Sequence, residues 1–474
     1  MSVSLEQLLR DARVDLVLSR IEKDELVIEE VINHLENNSR SVKFNAILVL
    51  GELGQKSING LSKLNACLED NDWSICREAV RTLGKIGEIA KESIPQLSRM
   101  LKDKEESIRK EAAIAIGKIG SPTQEAISSL INALKDKNEV VRTEAAKALG
   151  RIGQNAHAAI PHLMESLKDV EWTVRTASAQ SLSQIGKESK MAIPSLISAL
   201  EDKDWRVRYR VSNTLIEIGE EVVPSLLEIL NHKNSIVRKG AIDTLGDMGF
   251  SDPNIIDGLS NLLSDKVEAV RGKTAYALRS IGKEAVPVLL KGFEKSKKGM
   301  KNILISALGG IGTEAKEALP NLIDFLKLPD QEIEYIPTFT NKLKRNIATF
   351  FKDPFSNKAS IRVESARALG KVGINSEEAV YALEKALNDP KKIVRREAAL
   401  SIGKLGSSAN IAIPSLIKAL KDENPDVRWR VSEALGLIGV DTEDVIDGLK
   451  ELIHDECDYV CESAINALDN LTEE

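Results

Sequence analysis

The sequence is poor in the residues that enzymes use for catalysis and for binding metals. Its 474 residues include only five histidines and four cysteines. The phosphate-binding pattern Gly-x4-Gly-Lys-Ser/Thr is absent, and no Ser-His-Asp signature of a hydrolase is present. Cys457 and Cys461 are four residues apart, but no second pair and no partner histidine accompany them, which is poor support for zinc. We therefore expect no catalytic residue, no metal ligand and no cofactor, and we do not predict an enzyme.

Long apolar segments and strong net charge are also missing. No apolar run approaches the roughly 20 residues that a membrane helix needs. The first residues lack the basic start and apolar core of a signal peptide. The formal charge of −7 is small for this length, so it implies no general attraction to nucleic acid or membrane. Four cysteines in so long a chain suit a reducing compartment, and we expect a cytoplasmic protein without membrane insertion.

The sequence does contain one short helical pattern that is repeated many times along the chain. In residues 139–153 the apolar positions recur at helical spacing and a glycine follows the last of them, as expected at a helix end. The positions that share one face are Val141, Ala145, Ala148, Leu149 and Ile152. Taking Arg142 as reference, the equivalent residues are Lys43, Cys76, Arg109, Arg142, Arg175, Arg208, Arg238, Arg271, Lys301, Arg362, Arg395, Arg428 and Cys461.

The spacing of these residues is 33 in most steps, with two steps of 30 and one of 61. A fixed period in this range indicates stacked repeats, each unable to bury its apolar face alone. Each repeat contains two helices, and the first of them often begins with proline, which suits a first helical turn. These prolines are Pro95, Pro161, Pro194, Pro224, Pro287, Pro320 and Pro414. The predicted fold is all-α, an α-solenoid of about 13 two-helix repeats.

The regular pattern divides the chain into four parts. Residues 1–24 are predicted to form one amphipathic capping helix, residues 25–327 and 359–474 are repeats, and residues 328–358 are an insertion. The insertion holds five of the chain's seventeen aromatic residues, and residues 332–351 predict one long helix. Two interpretations remain open. The insertion is either a degenerate repeat packed in the stack or a protruding element that binds a partner.

The repeated residues resemble those of HEAT repeats, specifically the short HEAT-like repeats also found in phycobilisome lyases. The resemblance rests on the opening proline, an aspartate in the turn, a Val-Arg pair and the ending Ala-Leu-Gly-x-Ile-Gly, and it covers about residues 25–471. It implies a solenoid whose second helices line a concave face. It also implies a structural ladder, in which aspartate and arginine side chains of neighbouring repeats pair with each other. In this sequence the ladder is interrupted at His232 among other positions. The ladder residues include Asp103, Arg109, Asp136, Arg142, Asp169, Arg175, Asp202 and Arg208. Deoxyhypusine hydroxylases also stack such repeats, but this sequence lacks their His-Glu pairs.

For function, the sequence favours a non-enzymatic scaffold or adaptor that binds a protein or peptide on its concave face, as a monomer. Trp172 and Trp205 occupy equivalent positions in successive repeats, so we expect their rings to lie side by side. Aromatic and arginine side chains are enriched at binding hot spots. The candidate partner-binding residues are Trp172, Trp205, Arg206, Tyr209, Arg210 and Trp429.

Three alternatives stay open at this point. The tryptophans could instead fill the corners of repeats. Rows of lysine and arginine on the second helices, interleaved with glutamates, would suit nucleic acid. The basic residues are Arg77, Arg81, Lys85, Lys110, Lys118, Lys147, Arg151, Arg367, Lys371, Arg396, Lys404 and Arg430. The resemblance itself allows a phycobilin lyase-like protein that attaches or isomerises a chromophore.

Overall fold

The computed structural model describes residues 3–296, 298–328 and 361–472. Throughout these residues the regular structure is α-helix and short 3₁₀-helix, without a strand, which confirms the predicted all-α class. The chain forms two compact units, residues 1–244 and 245–474. Among the described helices, none combines the length and apolar character needed to cross a membrane.

The α-helices are numbered along the chain. They are α1 Leu5–Arg10, α2 Val14–Lys23, α3 Val27–Asn33, α4 Arg40–Leu53, α5 Leu61–Ala66, α6 Trp73–Ile86, α7 Ile94–Met100, α8 Glu106–Ile119, α9 Gln124–Ala133, α10 Glu139–Ile152, α11 Ile160–Ser166, α12 Trp172–Ile185, α13 Ile193–Ala199, α14 Trp205–Ile218, α15 Val223–Glu228, α16 Ser235–Met248, α17 Pro253–Leu262, α18 Glu268–Ile281, α19 Val286–Lys295, α20 Lys298–Ile311, α21 Leu319–Leu326, α22 Ile361–Val372, α23 Glu377–Ala386, α24 Lys392–Lys404, α25 Ile413–Ala419, α26 Pro425–Ile438, α27 Glu443–Leu452 and α28 Asp458–Thr472.

From α3 onwards the helices alternate between a shorter first helix and a longer second helix, most often of 14 residues. Several second helices begin at a side-chain cap, for example Asp204, whose carboxylate accepts the N–H of Arg206. Capping matters here because the first turn of a helix has N–H groups without partners in the helix. The first helices that carry the predicted prolines have them in the first two positions, as expected.

In several repeats the glycine that follows the second helix does not adopt the left-handed conformation that is common at helix ends. Gly153 has φ 70° and ψ −142°, a backbone region that is accessible essentially to glycine alone. This bend starts the 3₁₀-helix Gly153–Ala159, which leads into α11. Where the repeat is 30 residues long, the corresponding 3₁₀-helix is shortened to Glu220–Val222. The helices therefore keep their length, and the deletion falls in the connection.

The second helices pack closely because glycine faces alanine between consecutive repeats. A Cβ atom on Gly84 would lie 2.8 Å from Cα of Ala115, and one on Gly117 would lie 2.8 Å from Cα of Ala148. Contacts under 3.0 Å are not tolerated, so these positions require glycine at the present helix separation. The glycine of the Ala-Leu-Gly motif thus lies inside the helix and sets the distance between repeats. Within each unit the buried side chains are mainly leucine, isoleucine, valine and alanine.

The insertion lies outside the described residues, together with its five aromatic residues and its predicted long helix. The helices before and after it belong to one unit and pack on each other. A Cβ on Gly309 of α20 would lie 2.9 Å from Cα of Ala368 of α22, which repeats the contact between Gly84 and Ala115. Helix α21 packs against α22 as the first helix of that pair. Among the described residues, the stack therefore continues from α20 and α21 to α22 without an intervening repeat.

The predicted single capping helix at the N-terminus is wrong in detail, because residues 5–23 form two helices, α1 and α2. Ala12 has φ 55°, which ends the first helix and turns the chain. Leu5, Leu8 and Leu9 of α1 are buried, whereas Leu16 of α2 is 39% exposed. Helix α2 buries Val17 and Ile21 instead.

Candidate functional site

The ladder residues come together as a set of equivalent contacts between repeats. In the described structure, the arginine of one repeat donates from Nε and Nη2 to both carboxylate oxygens of the turn aspartate in the next repeat. Arg175 makes these bonds to Asp202 at 2.6 and 2.8 Å. The same two-bond contact joins Arg109 to Asp136, Arg142 to Asp169, Arg395 to Asp422 and Arg428 to Asp455.

Each ladder arginine also holds the turn of its own repeat. Nη1 of Arg175 donates to the carbonyl oxygens of Asp169 and Val170, at 2.8 and 3.0 Å. The turn is further fixed by the aspartate, since the N–H of Asp204 donates to the Asp202 carboxylate at 2.8 Å. The guanidinium group of Arg175 is buried, with its side chain 6% exposed. In these five two-bond pairs every side chain is only 5–13% exposed, so the small energies of exposed salt bridges do not apply to them.

The pKa values of the ladder aspartates depend on two opposing effects, burial and hydrogen bonding. Burial raises the pKa of Asp136, but the hydrogen bonds from Arg109 and from the N–H of Asn138 outweigh this effect and lower its pKa below the usual value. The pKa of Asp169 is lowered in the same way, with Arg142 as the donor. Lowered pKa values mean that the folded protein binds these protons less tightly than the unfolded chain does.

The ladder is interrupted at Arg208. Its Nη1 donates to the carbonyl oxygens of Asp202 and Lys203 at 2.7 and 3.2 Å, as in the other repeats. The next turn, however, carries His232 where an aspartate stands elsewhere. The Nδ1 of His232 accepts the N–H of Asn234 at 3.2 Å, so the ring replaces the aspartate in fixing the turn.

Beside Arg208, helix α14 presents two aromatic side chains to solvent. Trp205 is 65% exposed and Tyr209 is 62% exposed, and the two are one helical turn apart. Such exposure excludes the alternative that Trp205 fills the corner of a repeat. Trp205 and Tyr209 are the two most exposed aromatic side chains in the part of the chain that the structure describes.

Trp172 has a different partner from the one expected. The group above its ring is the guanidinium of Arg206, with Cζ 3.5 Å from the ring centroid, and no ring contact joins Trp172 to Trp205 in the described structure. Arg206 is held in place by Asp204, which accepts from Nε at 2.9 Å and from Nη2 at 2.6 Å. The side-chain hydrogen bonds from Arg206 lower the pKa of Asp204 to about 2, so this carboxylate is charged at neutral pH. A fixed guanidinium over an indole is a cation–π pair.

The other two predicted residues are placed differently. Arg210 is half-buried, and its Nε has no hydrogen-bond partner among the described residues. Trp429 belongs to the second unit, where Arg430 lies 3.8 Å from its ring centroid and Tyr459 packs edge-on at 5.7 Å. The structure thus pairs Arg206 with Trp172 and places Trp205 and Tyr209 one turn apart on α14, while Trp429 contacts Arg430 and Tyr459.

In the described structure, six of the twelve residues in the basic rows form ion pairs with neighbouring acids. Lys85 donates to Glu52 at 2.7 Å, and Lys147 donates to Glu144 at 2.7 Å. In the second unit, Arg367 bridges Glu364 at 2.6 Å and Glu397 at 3.0 Å. These rows are therefore surfaces of mixed charge.

Burial and nearby charges shift the pKa values of two residues on α22, Glu364 and Lys371. Burial raises the pKa of Glu364, although Arg367 opposes that shift. Burial, together with Lys404, Arg279 and Arg367, lowers the pKa of Lys371. In the described part of the chain, no group of three or more His, Cys, Asp or Glu side chains is placed to hold a metal ion.

Comparison with known families identifies the repeats. A family model described as HEAT repeats matches residues 28–117, 94–183, 223–309, 355–413 and 410–469, and a second HEAT-repeat model matches residues 192–222. The chain belongs to the HEAT-repeat family.

Solved structures resemble this HEAT-repeat chain at low sequence identity. An engineered protein is 21% identical, with 87% of this chain and 99% of that chain covered and a TM-score of 0.27. Kap95p in its complex with RanGDP is 13% identical, with 95% and 78% covered and a TM-score of 0.48. The CpcE–CpcF complex of phycocyanin lyase from a Nostoc species is 20% identical, with 56% and 94% covered and a TM-score of 0.31. No curated protein sequence matches the chain significantly. These likenesses concern the fold and carry no inference about activity or partner.

Two features of the site were missed by reasoning from the sequence. The open position beside Arg208 was not anticipated, although His232 at an aspartate position was the signal for it. The contact between Arg206 and Trp172 was also missed. The repeat period suggested Trp205 as the neighbour of Trp172, but the next residue, Arg206, reaches back to the ring in the previous repeat.

Proposed function

We propose that this HEAT-repeat protein is a non-enzymatic scaffold that binds a protein partner on the face formed by its second helices, around Trp205 and Tyr209. The single observation that supports this proposal most is the exposure of these two rings on one turn of α14. Burying a ring of this size against a partner contributes favourable free energy that scales with the apolar area removed from water.

The surroundings of the rings favour binding because they are already ordered. Arg206 is fixed between the Trp172 ring and the Asp204 carboxylate, so a partner would not have to order this long side chain. Ordering such a side chain at an interface costs roughly 0.5–1.5 kcal/mol. A repeat stack adds to this advantage, because each helix is held by its neighbours before any partner arrives.

A protein partner suits the charges better than a nucleic acid does. Binding to a phosphate backbone depends on lysine and arginine side chains that can neutralise phosphates. Here several of the basic side chains already pair with glutamates, among them Lys85, Lys147 and Arg367. The aromatic pair and the fixed arginine are instead the residue types that dominate protein interfaces.

The test compares two exposed aromatic residues in different places. Trp205→Ala should lose a partner captured from an extract of the source cells, with an affinity loss of about 2 kcal/mol or more if the ring is a hot spot. Its free energy of unfolding should change by only about 0.5 kcal/mol, as is usual for surface positions. The control is Tyr381→Ala, which removes a ring that is 51% exposed on the first helix α23.

Three outcomes distinguish the interpretations. Loss of the partner with Trp205→Ala but not with Tyr381→Ala supports the proposal. Equal capture by both variants would place the partner elsewhere. A large loss of stability with unchanged capture would assign Trp205 a structural role only.

A further inference from the structure

The ladder provides an internal template for a carboxylate-binding site. Five described arginines, Arg109, Arg142, Arg175, Arg395 and Arg428, each hold a carboxylate through Nε and Nη2 at distances of 2.6 to 3.0 Å. In each of them, Nη1 is fixed by the carbonyl oxygen of the turn aspartate in the same repeat. Two parallel bonds of this kind give both strength and a defined geometry.

Arg208 has the same support but lacks the carboxylate. Its Nη1 is fixed by the carbonyl oxygens of its own turn, so its Nε and Nη2 are presented as in the other repeats. The nearby acids of unit 1 are occupied, since Asp202 binds Arg175 and Asp204 binds Arg206. Among the described residues, no carboxylate lies within ion-pair distance of Arg208.

His232 cannot take the place of the missing carboxylate. Its Nδ1 accepts the N–H of Asn234, so on a neutral ring the proton must be on Nε2. That nitrogen is then a donor, as are the two nitrogens of Arg208. A second possible acceptor nearby is also engaged, because Glu201 accepts from the side-chain amide of Asn234 at 2.8 Å. Arg208 is therefore left with two directed donors and no acceptor from this part of the ladder.

The open donors lie next to the aromatic pair. Trp205 precedes Arg208 by three residues on α14, so the two side chains are neighbours on the helix surface, and Tyr209 lies on the same turn as Arg208. Arg208 is only half-buried, and neither Nε nor Nη2 is among the buried nitrogens without partners. Both nitrogens can therefore be reached from outside the protein.

We propose that Arg208 binds a carboxylate of the protein partner, an aspartate or glutamate side chain that accepts hydrogen bonds from Nε and Nη2, the two nitrogens that hold the turn aspartate of the next repeat elsewhere in the ladder. This inference rests on the proposed function and specifies the chemistry of the partner. The partner carries an acidic residue close to an apolar side chain, and the apolar side chain contacts Trp205 and Tyr209.

The site can be closed by a single substitution. His232→Asp introduces the residue that pairs with arginine in the other repeats, and its carboxylate then occupies Nε and Nη2 of Arg208. Arg208→Gln removes the guanidinium instead. Both variants should lose the same bound carboxylate, although one adds an acid inside the protein and the other removes a base.

The experiment selects peptides from a random displayed library on the full-length protein and measures their affinity for each variant. The expected peptides contain Asp or Glu near an apolar residue, and they bind Arg208→Gln and His232→Asp about 10- to 100-fold more weakly, since a hydrogen-bonded charge contributes roughly that factor. Replacing the acidic residue of the peptide by its amide should weaken binding to the wild type but not to Arg208→Gln. Tyr381→Ala serves as the control, and its affinity should equal that of the wild type.

Thermal unfolding of His232→Asp shows independently whether the new carboxylate has formed the pair. An unfolding temperature above that of the wild type, together with weakened peptide binding, supports the inference. Peptides that depend on Trp205 but bind His232→Asp as tightly as the wild type would overturn it while leaving the proposed function intact. Peptides that bind Trp205→Ala unchanged would contradict the proposed function itself, and failure to select any peptide would count against both.

Discussion

Arg175→Ala is the substitution that tests the ladder most clearly. The wild-type side chain makes four hydrogen bonds, two to the Asp202 carboxylate and two to the carbonyl oxygens of Asp169 and Val170. Truncation removes all four and leaves the Asp202 carboxylate, whose side chain is 10% exposed, without its cation.

The size of the effect follows from this geometry. Removing one member of a buried ion pair costs about 3–5 kcal/mol. Asp202 keeps the hydrogen bond from the N–H of Asp204 and some contact with water, so we expect a loss near the lower end, about 3 kcal/mol. Arg208→Ala removes the equivalent side chain from a repeat in which the arginine has no ladder carboxylate. This variant loses only the two hydrogen bonds to carbonyl oxygens, and we expect its free energy of unfolding to fall by about 1–2 kcal/mol.

The assay is urea-induced unfolding of both variants and the wild type, followed by helical circular dichroism. The prediction is a clearly larger loss for Arg175→Ala than for Arg208→Ala. Equal losses would refute the reasoning, because the carboxylate would then contribute nothing to stability. Partner capture by Arg175→Ala should remain unchanged, since this arginine is buried within the ladder.

Two further predictions concern the repeat interface and the effect of pH. Gly117→Ala should destabilise the protein by about 1–3 kcal/mol, because its Cβ would overlap Ala148. Gly272→Ala, at a helical glycine with open space around it, should stabilise the protein by roughly 0.5–1 kcal/mol. Urea unfolding of the two variants checks this, and a change of the same sign in both free energies of unfolding would contradict it. Because the pKa of Asp136 is lowered in the folded state, its contribution to stability is present above the unfolded-state pKa of about 3.9 and is lost as pH falls through the folded-state value. Asp136→Asn should accordingly be less stable than the wild type at neutral pH and lose less stability on acidification below about pH 4, as acid titrations of unfolding would measure; parallel acid profiles would count against this assignment.

The repeated architecture could be predicted from the sequence because the same pattern of residues recurs about thirteen times. Apolar residues at helical spacing, a proline at the first turn and a glycine after the second helix each specify a helix or its end. The period of 33 residues then requires the helix pairs to stack. The prediction of one helix in residues 1–24 was wrong because a single residue, Ala12, adopts a positive φ that no local pattern indicated.

The site was predicted less well because it depends on contacts between repeats. Equivalent positions of Trp172 and Trp205 suggested that their rings pack together, but Arg206 reaches the Trp172 ring instead. Its position is set by the Asp204 carboxylate, which also caps α14, and the sequence period says nothing about that competition. Likewise, the periodic pattern located the break at His232, but only the hydrogen bonds of the turn show which nitrogens of Arg208 it leaves available.

The central claim, that a protein partner binds around Trp205 and Tyr209, is tested most directly by site-specific photo-crosslinking. A benzophenone amino acid placed at position 209 should cross-link one partner protein in an extract of the source cells, and excess wild-type protein should suppress that product while Trp205→Ala should not. The same amino acid at position 381, on an exposed first helix, should not yield it. Identical products from both positions, or none from position 209, would contradict the account.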